Sequence, residues 1–396
     1  MKSSPSLFAA LLPLFLVPGC ATHAPPPVDT SRVKQFAGRG YLTDNHFSVA
    51  TTFSRWTAGE HTFDMAWSLP VSGNALPVVV YLPGLGESRT SGEGWRTAWA
   101  QAGYAVLSVQ LLDDDQKAWS SAAARRGDFV VLARERFGAD TANARLNALA
   151  ALLGELRQGR GADDATLRRL DLSRIAIAGF DVGAYTSMLV AGETPKGGGQ
   201  PAPLPIAVAA IVALSPYADF SGSALSSRYQ SIMVPVLSVS GDADSDAAGI
   251  VSSPSLRRAP FEYMPSPDAY LLWLTNATHS VFSGSTQPAA EELAEMGAGR
   301  RSENQGAHKG GRRDGHRGGG TYPDNTEVDG KMGSAGSGRL AFHTVSPTDR
   351  ALHASLIQGI TTAFLDAYMK QDTIAKEWLR KDAGRWIGER GELRRK

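Results

Sequence analysis

The chain has 396 residues, 42% of them apolar and 20% charged, enough to build a sizeable core. Forty basic residues against 39 acidic ones leave a formal net charge of +1, so no global field favours nucleic acid as a partner. The single cysteine, Cys20, excludes an intramolecular disulfide and any zinc site built on two thiolates.

In chain order, Lys2 is followed by an apolar run from Leu7 to Val17. That is the length of a signal-peptide core and too short to span a bilayer. The run ends in Val17-Pro18-Gly19-Cys20, which resembles the lipobox of bacterial lipoproteins. The resemblance implies removal of residues 1–19 and lipidation of Cys20. With Ala21 next rather than aspartate, it also implies a lipid anchor in the bacterial outer membrane, facing the periplasm. The alternative is an ordinary secretory signal with an incidental cysteine. Residues 20–40, with Pro25, Pro26 and Pro27 in a row, suit an extended tether.

The segment 41–284 reads as one domain. Phe47–Phe53 and Phe63–Trp67 are short strand-like runs. Val78–Leu82, Tyr104–Val109, Ile175–Gly179, Ala207–Leu214, Pro235–Ser240 and Tyr270–Leu274 are continuous apolar runs, the sign of strands buried on both faces. Helical patterns lie between them: Trp95–Ala102, where Trp95 and Trp99 read as core, and 127–158, with leucines at helical spacing. Strands alternating with helices predict an α/β fold, a doubly wound and mainly parallel sheet. Residues 285–340 break the pattern with a Gly/Arg-rich stretch and almost no apolar runs, which predicts a disordered insertion. A helix over Leu356–Tyr368, within 341–380, returns to the domain. The tail 381–396, basic from Arg390 to Lys396, reads as a solvated end.

The chemistry centres on Gly179-Phe180-Asp181-Val182-Gly183, set between a buried strand and a helix. A G-x-S-x-G pentapeptide in this setting is a nucleophile elbow. Its glycines permit a tight turn that lifts the central side chain to the top of the sheet, at a helix N-terminus. Here the central residue is Asp181. An acid and a histidine follow in the order that such a triad requires. After the strand ending at Ser240 come Asp242, Asp244 and Asp246; after the one ending at Leu274 comes His279. Asp244 ranks first as the acid, Asp246 second and Asp242 third. Leu82-Pro83-Gly84-Leu85-Gly86 follows the first buried strand, so the backbone N–H groups of Leu85 and Val182 are the expected oxyanion donors. Asp113-Asp114-Asp115 reads as a solvated loop rather than a cation site.

Pro77–Leu112, the elbow with Gly183-Ala184-Tyr185-Thr186, and Ala277-Thr278-His279 through Phe282-Ser283-Gly284 resemble bacterial dienelactone-hydrolase-like enzymes, relatives of platelet-activating-factor acetylhydrolases. The resemblance covers roughly residues 45–284 and the last helix. It implies the α/β-hydrolase fold and ester or lactone hydrolysis with a serine nucleophile. Aspartate at the elbow instead resembles epoxide hydrolases and haloalkane dehalogenases. Carboxylate attack on an sp³ carbon gives an ester that water can hydrolyse, whereas attack on an ester carbonyl gives a reactive anhydride. Yet the segment from Pro216 to Val234 is too short for the helical cap those enzymes carry. The expectation is a hydrolase acting on a small molecule through Asp181, with no cofactor or metal. The alternative is a catalytically degenerate scaffold that binds a ligand in the envelope.

Overall fold

The computed structural model describes residues 27–43, 46–195, 204–218, 224–246, 249, 251, 253–265, 267–285 and 345–396. Cys20 and nearly all of the expected insertion, 286–340, lie outside them. Among the described residues nine strands form one sheet: β1 Val49–Ala58, β2 His61–Pro70, β3 Leu76–Leu82, β4 Ala105–Val109, β5 Leu170–Phe180, β6 Ala210–Leu214, β7 Val236–Ala243, β8 Ala269–Thr278 and β9 Gly391–Arg395. Their order is β1-β2-β4-β3-β5-β6-β7-β8-β9. The six from β4 to β8 run parallel to their neighbours, while β1, β2 and β9 are antiparallel additions at the two edges.

The principal helices are α1 Thr30–Ala37, α2 Glu93–Gln101, α3 Ala139–Arg157, α4 Val182–Ala191, α5 Pro347–Met369, α6 Thr373–Lys381 and α7 Ala383–Ile387. No described helix is long and apolar enough to cross a membrane. The alternation of side chains along each strand divides the core in two. Val78, Val80, Ile175, Ile177 and Ile211 pack under α3 and α4 on one face. Val79, Tyr81, Ala176, Ala178 and Val212 pack under α2 and α5 on the other, with Trp95 and Trp99 fully buried among them. All residues of β3, β4 and β6 are buried, which is why these strands read as unbroken apolar runs.

From β3 the chain crosses to β4 on one side and then returns to β5 on the other. The carboxyl ends of β3 and β5 therefore flank the point where the winding reverses, the place where open α/β sheets leave a crevice. Leu85 follows β3 and Asp181 follows β5.

Four expectations change. The tether ends earlier than residue 40, since α1 is folded: the Asp29 carboxylate accepts from Arg32 N–H at 3.0 Å and caps it. The single helical pattern over 127–158 divides at Gly138, whose extended backbone separates Phe129–Arg136 from α3. Asp113–Gln116 is a short helix, and Asp115 is buried with Arg145 at 2.6 and 2.8 Å. The charged tail is not a solvated end, because 391–395 pair with β8 as an edge strand.

Candidate active site

The elbow is held by backbone geometry that only its glycines allow. A Cβ on Gly179 would overlap the backbone of Gly183, and one on Gly183 would overlap that of Leu82. Between them Asp181 sits at φ 50° and ψ −111°, an unfavourable conformation for a residue with a side chain. Its N–H donates to Leu214 O at 3.0 Å, locking the strained turn to β6. The turn presents the carboxylate at the first turn of α4, where no side chain caps the free N–H groups. Val182 is the first residue of that helix and is buried.

One oxygen of Asp181 is already engaged. Leu85 N–H donates to Asp181 Oδ2 at 3.1 Å. The loop carrying Leu85 is fixed at each peptide. Gln110 Nε2 donates to Gly84 O at 3.0 Å, and Trp119 Nε1 donates to Leu85 O at 3.1 Å. Gly86 N–H donates to Asp115 O at 2.8 Å. Asp115, buried and held by Arg145, thus supports the loop that carries Leu85.

The three acids after β7 have separate fates. Asp244 is fully buried, and its Oδ1 lies 2.7 Å from His279 Nδ1. Ser215 Oγ donates to the same oxygen at 2.9 Å, and Ser240 Oγ donates to Oδ2 at 2.7 Å. Asp246 accepts from the Arg257 guanidinium at 3.3 Å and from Val251 N–H at 2.9 Å. Asp242 accepts from Asn276 N–H at 2.6 Å in an exposed turn, away from His279. Arg257, with no exposed surface, donates to Asp244 O at 3.1 Å and to Ser215 O and Pro216 O at 3.0 and 3.1 Å. It ties the end of β6 to the loop after β7.

His279 begins the short helix His279–Phe282 and is 7% exposed, against 8% for Asp181. The Phe180 ring lies 4.9 Å from it, centroid to centroid. Its loop is clamped from α2 and α5: Trp95 Nε1 donates to Phe282 O at 2.9 Å and Arg350 Nη1 to Ser280 Oγ at 3.0 Å.

The electrostatics divide the two carboxylates. Burial pushes Asp181 above its ordinary value, against the opposing pull of His279, the Leu85 N–H and Arg257. Burial works the same way on Asp244, but the Arg257 charge and the bonds from His279 and Ser240 outweigh it and hold Asp244 low. Burial alone would lower His279; its bond to Asp244, helped by the charge of Asp181, raises it to about 9. The imidazole is therefore protonated at neutral pH beside an ionised Asp244, while burial works against the charge on Asp181.

Of the residues that the sequence order singles out, the structure pairs Asp244 with His279 and the Leu85 N–H with Asp181. Ser215, Ser240, Arg257 and Gln110 were not singled out by sequence. Ser215 and Ser240 at least stand at strand ends, whereas Arg257 carries no motif. Among the described residues no three His, Cys, Asp or Glu side chains converge as a metal-binding set. An open cleft of about 490 Å³ lined by Asp113, Asp114, Arg136 and Asp140 includes none of the site residues. No family model matches the chain, and no curated protein matches it.

Proposed function

We propose that this chain is a cell-envelope hydrolase with the α/β-hydrolase fold, acting on a small molecule through a covalent ester on Asp181. The reading rests above all on the 3.1 Å bond from Leu85 N–H to Asp181 Oδ2. A donor placed for an oxyanion already holds an oxygen of the nucleophile itself. The carbonyl of a substrate ester would have to displace that oxygen. In an alkyl ester of Asp181, by contrast, the same oxygen becomes the carbonyl and then the oxyanion of hydrolysis, with its donor in place. This favours an epoxide- or halide-like sp³ carbon over an ester- or lactone-like carbonyl.

The free Oδ1 attacks carbon as the carbon–oxygen bond of an epoxide opens to an alkoxide, or as a halide departs to solvent as its anion. Alkylation removes the Asp181 charge, and with it one of the attractions that raise His279. The imidazolium then passes its proton to the alkoxide of an opened epoxide, or to solvent after a halide has left, and can act as a base. It takes a proton from water, whose hydroxyl adds to the Asp181 carbonyl carbon. Leu85 and Val182 N–H groups stabilise the oxyanion. Collapse releases the alcohol, which takes the proton from His279, and Asp181 ionises again. Asp244 orients the imidazole throughout.

One observation favours a second reading, a binding protein on a hydrolase scaffold. His279 holds its proton beside the buried Asp244 carboxylate, so the resting site keeps its base occupied and needs no substrate to neutralise it. The test compares wild type, Asp181→Ala and Asp181→Ser on acyl esters, lactones, epoxides and alkyl halides. A single turnover in ¹⁸O-water follows, with mass analysis of the Asp181 peptide. Turnover lost in Asp181→Ala and label found in the Asp181 carboxylate support the covalent route. Turnover unchanged in Asp181→Ala ends it. A silent wild type with esterase activity in Asp181→Ser favours the binding protein.

A further inference from the structure

Charge is unevenly distributed over this chain. Segments 27–43 and 370–396 together hold twelve Lys and Arg against six Asp and Glu, within a protein of net charge +1. The fold brings these two ends together. The Phe36 and Trp386 rings stack at 5.1 Å, and Trp386 Nε1 donates to Phe36 O at 3.0 Å. Tyr41 packs on Trp378 at 5.4 Å, and Trp378 on Trp386 at 5.7 Å. An aromatic cluster thus joins α1, α6 and α7 into one surface.

That surface is amphipathic. Leu42, beside Tyr41, is 68% exposed, and Ile374, one turn before Trp378, is 74% exposed. On the same segments Lys34, Arg39 and Arg380 are exposed and form no ion pair with any described residue. Exposed aliphatic side chains and half-buried Trp and Tyr on segments that also carry exposed cations match the chemistry of a bilayer interface: apolar anchors, aromatic rings at headgroup depth, and positive charge for anionic lipid. The chain's own course adds a second argument. Thr30, the first residue of α1, follows Cys20 by ten positions, a reach of at most about 36 Å. A lipid on Cys20 would hold α1 within that distance of the membrane.

We propose that the surface built from α1, α6 and α7 docks on an anionic phospholipid bilayer. The body of the protein, with its sheet behind α5, then has a defined orientation to the membrane rather than swinging on a tether. The proposal is independent of the chemistry assigned to Asp181.

The test uses the full chain with Cys20→Ser, so that no acyl chain contributes. Co-sedimentation is measured with vesicles of phosphatidylcholine alone and of phosphatidylcholine with 30% phosphatidylglycerol (about one anionic lipid in three), at low and high salt. The expected result is binding that rises with phosphatidylglycerol and falls with salt. Lys34→Gln/Arg39→Gln/Arg380→Gln should weaken the phosphatidylglycerol-dependent part at least about tenfold. Leu42→Ser/Ile374→Ser should weaken it with the charges intact, and the thermal midpoint of each variant shows that it is folded. Equal vesicle binding by wild type and the charge variant overturns the proposal, since any apolar leader is common to both. Retention on heparin without vesicle binding also overturns it, in favour of a soluble polyanion.

Discussion

The side-chain amide of Gln110 donates to the carbonyl of Gly84 at 3.0 Å, and this bond aims the Leu85 N–H at Asp181. In a trans peptide the C=O and the following N–H point in opposite directions. Holding Gly84 O on one side therefore turns Leu85 N–H to the other, where Asp181 Oδ2 lies. Gln110→Ala should leave the fold intact and lower kcat by about ten- to a hundredfold, short of the full loss of an oxyanion donor. KM should change little. A steady-state comparison checks this, and an unchanged kcat would free Gln110 of any role in aiming the amide.

Asp181→Asn tests whether the elbow carries a charge against the preference of the fold. The carboxyl of Asp181 is raised by burial, so its ionised form costs stability above the unfolded value of about 3.9. A neutral amide keeps an acceptor for Leu85 and tolerates the backbone better than most residues. At pH 7 the variant should melt about 2–4 °C higher and show no turnover.

His279 should titrate near 9 in the wild type, and lower in Asp181→Asn, because the carboxylate is one of the charges holding the proton. Its folded value exceeds the unfolded one, so its contribution to stability is full below about pH 6.5 and is lost as pH rises through about 9. Imidazole NMR resonances followed against pH measure this directly. A midpoint near 6.5 in both proteins would contradict the link between the two residues.

Arg257→Met should cost about 3–5 kcal/mol, because it takes the shared guanidinium away from two buried carboxylates, Asp244 and Asp246. Arg257→Lys keeps the charge but cannot reach Asp244 O, Ser215 O and Asp246 together, so it should recover only part of the loss. Denaturant melts of the three proteins distinguish these outcomes.

Removing residues 391–396 should destabilise the domain by at least about 2 kcal/mol, since it strips several backbone hydrogen bonds from β8. It would also expose a long edge strand, so light scattering should report self-association. Stability equal to that of the intact chain would mean that the last strand adds nothing.

The sequence by itself determined the layered α/β architecture, the elbow and the order of the acid and the histidine. Strands covered on both faces have to be apolar throughout, as β3, β4 and β6 are, and a turn this tight admits only glycine at 179 and 183. Those are local constraints, and they leave local marks. What only the tertiary structure decided is which groups meet. Three aspartates within five residues are equivalent in composition; burial under Ser215, Ser240 and Arg257 makes Asp244 the partner of His279. Arg257 reaches Ser215 across 42 positions and Gln110 reaches Gly84 across 26, so neither contact leaves a spacing to read. Gly391–Arg395 looked like a charged tail because an edge strand buries little. Its pairing with β8 rests on backbone groups, which every residue but proline possesses and which therefore leave no trace in composition.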